Sequence, residues 1–553
     1  MLKAMQRMLL VLSVIFAAST GLAKEPPNVI VIMTDDQGYG DLSCTGNPVL
    51  KTPNLDKLCA QGVHFTDFHV SPYCTPTRAS LMTGRDARRT CAWHTYGGRN
   101  LMAEEEVTMA DIFKSNGYAT GHFGKWHLGI NYPFAPHYRG FDTSLMLGNG
   151  GMGASDDYWD NDRFDDTYFL NGKPVKTKGY GIDVFVDHAL NFIEQHKDEP
   201  FFVYLAPNIP HRPWNVPAKY SRPHNGGRAK KQEVVPYSHT DMSMFYGCID
   251  KIDEQVGRVL RCLEDEDLDK NTIVIFLTDN GTVSTGYNAG MRGRKGSPYE
   301  GGHRVPLFIR WPGGNVQSEH KVRALSAHVD ILPTLVDLCG LNTETPISFD
   351  GRSLAPLLRN DPTAWDDNRV YIAQTTQSVK GGYHVTAPKW GRTAVCKKQW
   401  RLVEDELYDV QADPGQKNDL AASHPGIVSE LKEAYEEYWQ EIQPDTQRVP
   451  RIRLGNPKQK VTALTHMNLT PIQGGRISWS QDSVVNAYVA AGKWSVYVEQ
   501  PGPYEVELRR WPIGVDRAIG DYKGLGGACS DAQIQKRCRA DIPRQCPGKN
   551  PAA

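Results

Sequence analysis

The chain has 553 residues, 40% of them apolar and 23% charged, the composition of an ordinary globular protein long enough for several domain-sized units. Lysine and arginine number 62 against 63 aspartates and glutamates, a formal net charge of −1. That balance gives no reason to expect nucleic acid or an anionic membrane as a partner.

Taken in chain order, the first element is a targeting segment. Lys3 and Arg7 precede an apolar run from Met8 to Ala18, and Gly21-Leu22-Ala23 places small residues at −3 and −1 of a cleavage site. This predicts a signal peptide over 1–23 and export of the mature chain to the periplasm or beyond. The apolar run is too short for a stable membrane anchor, and no later stretch is long and apolar enough to be one. Export permits disulfides, and the eleven cysteines, an odd number, leave one for another task.

Asn28 to Met33 is a continuous β-branched run that predicts a strand buried on both faces of a parallel sheet. Ala110 to Asn116 reads as helical. Phe201 to Leu205 and Thr272 to Leu277 are two more buried-strand runs. Helical spacing recurs at Val186, Ala189, Leu190 and Ile193, and again at Phe245, Ile249, Ile252, Val256 and Leu260. Strands alternating with helices predict an α/β domain over 24–368, with a mostly parallel sheet sandwiched by helices. A smaller α+β subdomain is expected over 369–442, with strand-like Trp400 to Val403 ahead of a helix from about Gly426 to Trp439. The remainder, 443–553, reads as a linker from Gln443 to Lys460 and a β-rich extension. In it Trp494 to Val498 and Tyr504 to Leu508 alternate around Pro501-Gly502-Pro503 and predict a hairpin. The last thirty or so residues show no periodicity and carry no assignment.

In an open α/β sheet, ligands bind beyond the carboxyl ends of the strands. The run at Asn28 ends in Thr34-Asp35-Asp36, and that at Thr272 ends in Thr278-Asp279-Asn280-Gly281. The run at Phe201 leads to Pro210-His211, and Ala119 to Phe123 leads to Gly124-Lys125-Trp126-His127. Oxygen ligands such as Asp35, Asp36, Asp279 and Asn280 suit a hard cation, Ca²⁺ before Mg²⁺, better than zinc. Taken singly, such residues more often make strand-end turns.

The deciding motif is Cys74-Thr75-Pro76-Thr77-Arg78-Ala79-Ser80-Leu81-Met82-Thr83-Gly84. It resembles the signature of the formylglycine-dependent sulfatases, relatives of alkaline phosphatase. Gly124 to Gly129 resembles the family's second signature, and Asn208 to Pro213 its Pro-His-x-Pro segment. Arg292 to Lys295 with Tyr299 to Pro306 resembles its lysine segment. The resemblance spans about Asn28 to Trp439. One departure is Tyr73, where the family more often has a small residue; it is expected to shape the pocket rim.

The resemblance implies a sulfuric ester hydrolase in which Cys74 is oxidised to formylglycine by a formylglycine-generating enzyme. It implies that Asp35, Asp36, Asp279, Asn280 and residue 74 hold the metal, and that Arg78 and Lys125 hold the formylglycine hydrate. His127 becomes the base for sulfate elimination, and Lys295 and His211 bind sulfate and protonate the leaving oxygen. A sulfated carbohydrate is the expected substrate, partly because Asn149 to Tyr168, with Asp156-Asp157-Tyr158-Trp159, offers hydrogen bonds and aromatic faces to sugars. A polar surface loop is the plainer reading of that stretch. The alternatives are a phosphonate or phosphate ester hydrolase of the same superfamily, and a catalytically dead carbohydrate-binding homologue.

Overall fold

The computed structural model describes residues 25–225, 241–314, 316–343, 346–375, 386–472, 477–486, 488–512, 515 and 537–542. The expected signal peptide lies outside these residues.

The central sheet contains β1 (Asn28–Thr34), β2 (Val63–Phe65), β3 (Ala119–Gly124), β4 (Thr143–Met146), β5 (Thr167–Leu170), β6 (Lys173–Lys176), β7 (Phe201–Ala206), β8 (Thr272–Thr278), β9 (Leu307–Arg310) and β10 (His320–Val322). Their spatial order is β10-β2-β9-β8-β1-β7-β3-β4-β5-β6. The five middle strands, β8 to β4, are mutually parallel; antiparallel pairings join β9 and β5 to them at either side.

Every residue of β1, β7 and β8 is buried, which is why these strands read as unbroken apolar runs. Alternate residues serve opposite faces. Val29, Val31 and Met33 enter one core with Ile273, Ile275 and Leu277. Ile30 and Ile32 enter the other with Val274, Phe276, Val203 and Leu205. The first face is covered by α1 (Cys74–Thr83) and neighbouring helices, the second by α2 (Gly181–Gln195) and α3 (Met242–Asp265). Each fully buried side chain of this kind contributes about 1.5–3 kcal/mol.

The register aligns one edge of the sheet. Thr34 pairs with Thr278, Ile32 with Leu205, and Gly124 with Ala206, so four neighbouring strands end side by side.

A four-stranded antiparallel sheet, Val370–Gln374, Thr393–Lys397, Trp400–Val403 and Glu406–Asp409, packs against α4 (Pro425–Thr446). The expected linker from Gln443 is therefore not one. The apolar stripe of α4 continues past Leu431 and Tyr435 to a buried Ile442, and the helix runs through Pro444. Beyond it, Ile452–Leu454 is a strand, and Ile452 packs on Leu101 and Phe134 of the main domain.

The expected hairpin does not form either. Val496–Val498 pairs in parallel with Ile452–Leu454, and Gly502–Glu507 pairs antiparallel with Arg537–Ile542. Alternation marks a half-buried strand without naming its partner. Pro501 and Pro503 also remove two N–H donors from the same strand edge, which weakens a return ladder. Cys44, Cys59, Cys74, Cys91, Cys248, Cys262, Cys339 and Cys396 carry free thiols.

Candidate active site

Asp35 and Asp36 follow β1 directly, with Asp36 in the left-handed region at φ 71°. Its amide turns to donate to Asp279 Oδ1 at 3.1 Å, so the ends of β1 and β8 are stitched together. Asn280 Nδ2 donates to Asp36 Oδ1 at 2.9 Å. Lys125 follows β3 and reaches Asp35 Oδ2 at 2.8 Å. All five side chains are buried.

Cys74 opens α1. Tyr73 lies extended before it and supplies no side-chain cap, while Gly84 closes the helix at φ 66° with its amide on the Ser80 carbonyl at 2.8 Å. The uncapped end turns backbone N–H groups and the positive pole of the helix toward the strand ends, a favourable setting for an anion. One turn on, Arg78 is completely buried. Its Nη2 donates to Asp279 Oδ2 at 2.7 Å, and its Nη1 to the Lys125 carbonyl at 3.1 Å and the Tyr204 hydroxyl at 3.3 Å.

Lys295 comes from the segment after β8 and is bonded to Asp36 Oδ1. His211 Nε2 lies 3.8 Å from Asp36 Oδ2, with its Nδ1–H donated to the Arg212 carbonyl at 2.7 Å. His127, at φ 66°, donates Nε2–H to the Thr95 carbonyl at 2.9 Å. Its Nδ1 is buried without a hydrogen-bond partner. All ten residues singled out in the sequence therefore border one buried cluster.

The electrostatics follow from burial and crowding. Burial opposes ionisation of Asp35, but Lys125, His211 and Arg78 hold its carboxyl well below the usual range. Burial likewise opposes Asp36, and Lys295 brings it down. Asp279 is pushed up to about 7 by burial and by Asp35. Burial drives His211 down to about 4 and His127 well below its ordinary value, in the latter case with help from the Lys125 charge. Both imidazoles are thus neutral at pH 7.

The donor set suits a hard cation. Asp35 Oδ1, 3.9 Å from Arg78 Nη2, and Asn280 Oδ1 are buried oxygens without a hydrogen-bond partner, a costly state unless a cation takes their lone pairs. Ligand atoms of Asp35, Cys74 and Asp279 lie within 4.8 Å of one another, as do those of Asp35, Asp36 and His211. Three carboxylates here face three cations, Arg78, Lys125 and Lys295, so an added divalent ion leaves the site positive and ready for an anionic substrate.

Sequence reasoning missed Asn208 as a site residue. Its Nδ2 is bonded to Asp35 Oδ2, and its Oδ1 accepts the Met152 amide at 3.1 Å. It sits two residues beyond β7, so the strand-end rule that found His211 also covers it. Asp157, expected to meet sugar, instead accepts the Gly148 and Gly153 amides at 3.1 Å each. Trp159 packs edge-to-face on Trp511 with ring centroids 5.1 Å apart. Both hold their loop together.

The sulfatase family model matches residues 27–341, and the model for the C-terminal part of N-sulphoglucosamine sulphohydrolase matches 294–441. The chain belongs to the sulfatase family. It is an enzyme of sulfate ester hydrolysis. N-acetylgalactosamine-6-O-sulfatase of Bacteroides thetaiotaomicron is 30% identical over 506 residues, covering 75% of this chain and 94% of that one. Arylsulfatase A of Homo sapiens is 29% identical, covering 76% and 89%. Among solved structures, Ps i-CgsB superposes with a TM-score of 0.66 at 25% identity, covering 76% of this chain and 94% of that chain. The α/β sandwich with its smaller C-terminal sheet is the fold of this sulfatase.

Proposed function

We propose that this sulfatase cleaves sulfate esters of a sulfated carbohydrate, using a formylglycine at position 74 and a Ca²⁺ ion held by Asp35, Asp36, Asp279, Asn280 and residue 74. The observation that carries this is the pair of oxygens without hydrogen bonds, Asp35 Oδ1 and Asn280 Oδ1, buried beside Cys74 among the cations Arg78, Lys125 and Lys295. The carbohydrate is supported by the N-acetylgalactosamine-6-O-sulfatase relative and by the expected export. Among the described residues no helix is long and apolar enough to cross a membrane.

In this reading a formylglycine-generating enzyme first converts Cys74 to the aldehyde, which takes up water as two geminal hydroxyls. Arg78 and Lys125 orient the hydrate, and the N-terminus of α1 with Lys295 seats the sulfate. The bound cation supplies Lewis-acid neutralisation of the developing charge. One hydroxyl gives its proton to Asp279, whose ligand atoms lie within 4.8 Å of those of residue 74, and its oxygen bonds to sulfur while the bond from sulfur to the sugar oxygen breaks. Lys295, charged at pH 7, delivers the proton to that oxygen. His211 adds to that delivery only in its protonated form, since in the neutral form its Nδ1–H is held by the Arg212 carbonyl and Nε2 is an acceptor. The second hydroxyl then gives its proton to His127 Nδ1, the carbon–oxygen double bond re-forms, and sulfate departs. The Thr95 carbonyl fixes His127 in the tautomer whose free nitrogen can accept that proton.

The test is turnover of an aryl sulfate after exhaustive chelation and metal return. Activity is expected to vanish and to recover best with Ca²⁺. Full activity with metal absence verified would count against the ion. Faster turnover of aryl phosphate or phosphonate than of aryl sulfate would favour the phosphonate-hydrolase alternative.

A further inference from the structure

Among the described residues three aromatic side chains are exposed: Tyr158 at 36%, Trp479 at 44% and Tyr488 at 42%. All three lie on two segments that meet beside His127. Ser155 donates its amide to the Trp479 carbonyl at 2.7 Å, and Gln481 donates its own to Gly153 at 2.8 Å. Ala154 and Ser480 form an antiparallel bridge. Gln481 Nε2 donates to the Asp157 and Tyr158 carbonyls at 3.2 Å each. Tyr488 is tied to the same strip through its amide on the Ser483 carbonyl at 2.8 Å.

The inner side of this seam touches the catalytic base. A Cβ placed on Gly150 would lie 2.8 Å from Met467 Cε, 3.2 Å from Ala154 Cβ and 3.6 Å from His127 Nε2. The Met467 carbonyl also accepts the Gly97 and Gly98 amides at 2.7 and 3.1 Å, next to the Thr95 carbonyl that orients His127. Trp479 and Tyr488 belong to the extension beyond residue 441, outside the family-matched residues.

Large aromatic rings left in water are suited to a ligand with one apolar and one polar face. A sugar ring has that character, and the seam that carries the rings reaches His127 through Gly150. We propose that Trp479 and Tyr488, supplied by the C-terminal extension, form with Tyr158 an aromatic platform. It stacks the sugar rings next to the one that carries the scissile sulfate. The enzyme is thereby selective for oligosaccharides over sulfated monosaccharides. The proposal rests on the carbohydrate reading above.

The experiment uses the full chain and its Trp479→Ala and Tyr488→Ala variants. Substrates are 4-nitrophenyl sulfate and matched monosaccharide and hexasaccharide pairs from chondroitin 6-sulfate, carrageenan and fucoidan. Each variant is expected to lose about tenfold in kcat/KM on the hexasaccharide the enzyme accepts, chiefly through KM, and to stay within about twofold on the monosaccharide and the aryl sulfate. Because both side chains are exposed, thermal unfolding should be unchanged. Equal effects on hexasaccharide and monosaccharide, or none on either, overturn the platform while leaving the carbohydrate reading intact. Turnover of the aryl sulfate with no sulfated sugar hydrolysed overturns the carbohydrate reading, and the platform with it.

Discussion

Replacing Arg78 with lysine keeps a positive charge but removes the planar fork that bonds three groups from two nitrogens: Asp279, the Lys125 carbonyl and the Tyr204 hydroxyl. A lysine can serve one of these. The two neutral bonds contribute about 1 kcal/mol each, and the charge-assisted bond to Asp279 about 1.5–3 kcal/mol. Since the site is wholly buried, groups left unpaired are not rescued by water, and with one bond kept a loss of about 2–4 kcal/mol is expected. In a large domain this lowers Tm by about 4–8 °C, read by differential scanning calorimetry. Asp279 already sits at about 7 with Arg78 beside it, and Arg78 is one of the charges holding it down. Weakening that contact raises it further in the metal-free site, so protons compete more strongly with the cation and the activity–pH profile moves to the alkaline side. An R78K enzyme with Tm unchanged within about 1 °C and a wild-type profile would refute the role of Arg78 as the post between α1 and the strand ends.

Two further predictions concern the base and the loop that flanks it. His127→Ala should lower aryl sulfate turnover by about a hundredfold to ten-thousandfold yet permit the first transfer, so that a sulfated peptide containing residue 74 accumulates and is seen by mass spectrometry. Absence of that adduct, with turnover lost, would assign His127 to the first step. Asp156 and Asp157 are pushed up to about 7 by burial, so the folded chain retains protons that the unfolded chain releases near pH 4. Their contribution to stability is full below the unfolded value and is lost as pH rises through about 7. Tm should therefore fall from pH 5 to 8 more steeply in the wild type than in Asp157→Asn, and equal slopes would contradict the assignment.

The central fold was legible because its physics is local. A strand buried on both faces must be apolar throughout, and β1, β7 and β8 announce themselves that way. The strand-end rule then led to Asp35, Lys125, His211 and Asp279, because parallel register brings the ends of β1, β3, β7 and β8 to one edge. Other features depended on partners far along the chain. The alternation in Val496–Val498 could not reveal that Ile452–Leu454 would pair with it. Nor could Trp159 and Tyr158 be told apart from sequence, although one turns to Trp511 and the other to solvent. Asn208 was overlooked because an asparagine after a strand usually makes a turn. Its neighbour Asp35 shows its use only in three dimensions.

The most direct measurement is peptide mass spectrometry of fully active enzyme across residue 74. The account predicts that the peptide beginning near Cys74 has lost its sulfur and two hydrogens and gained one oxygen, and that it reacts with a hydrazide probe for aldehydes. Full activity with only an unmodified thiol at Cys74 would contradict it.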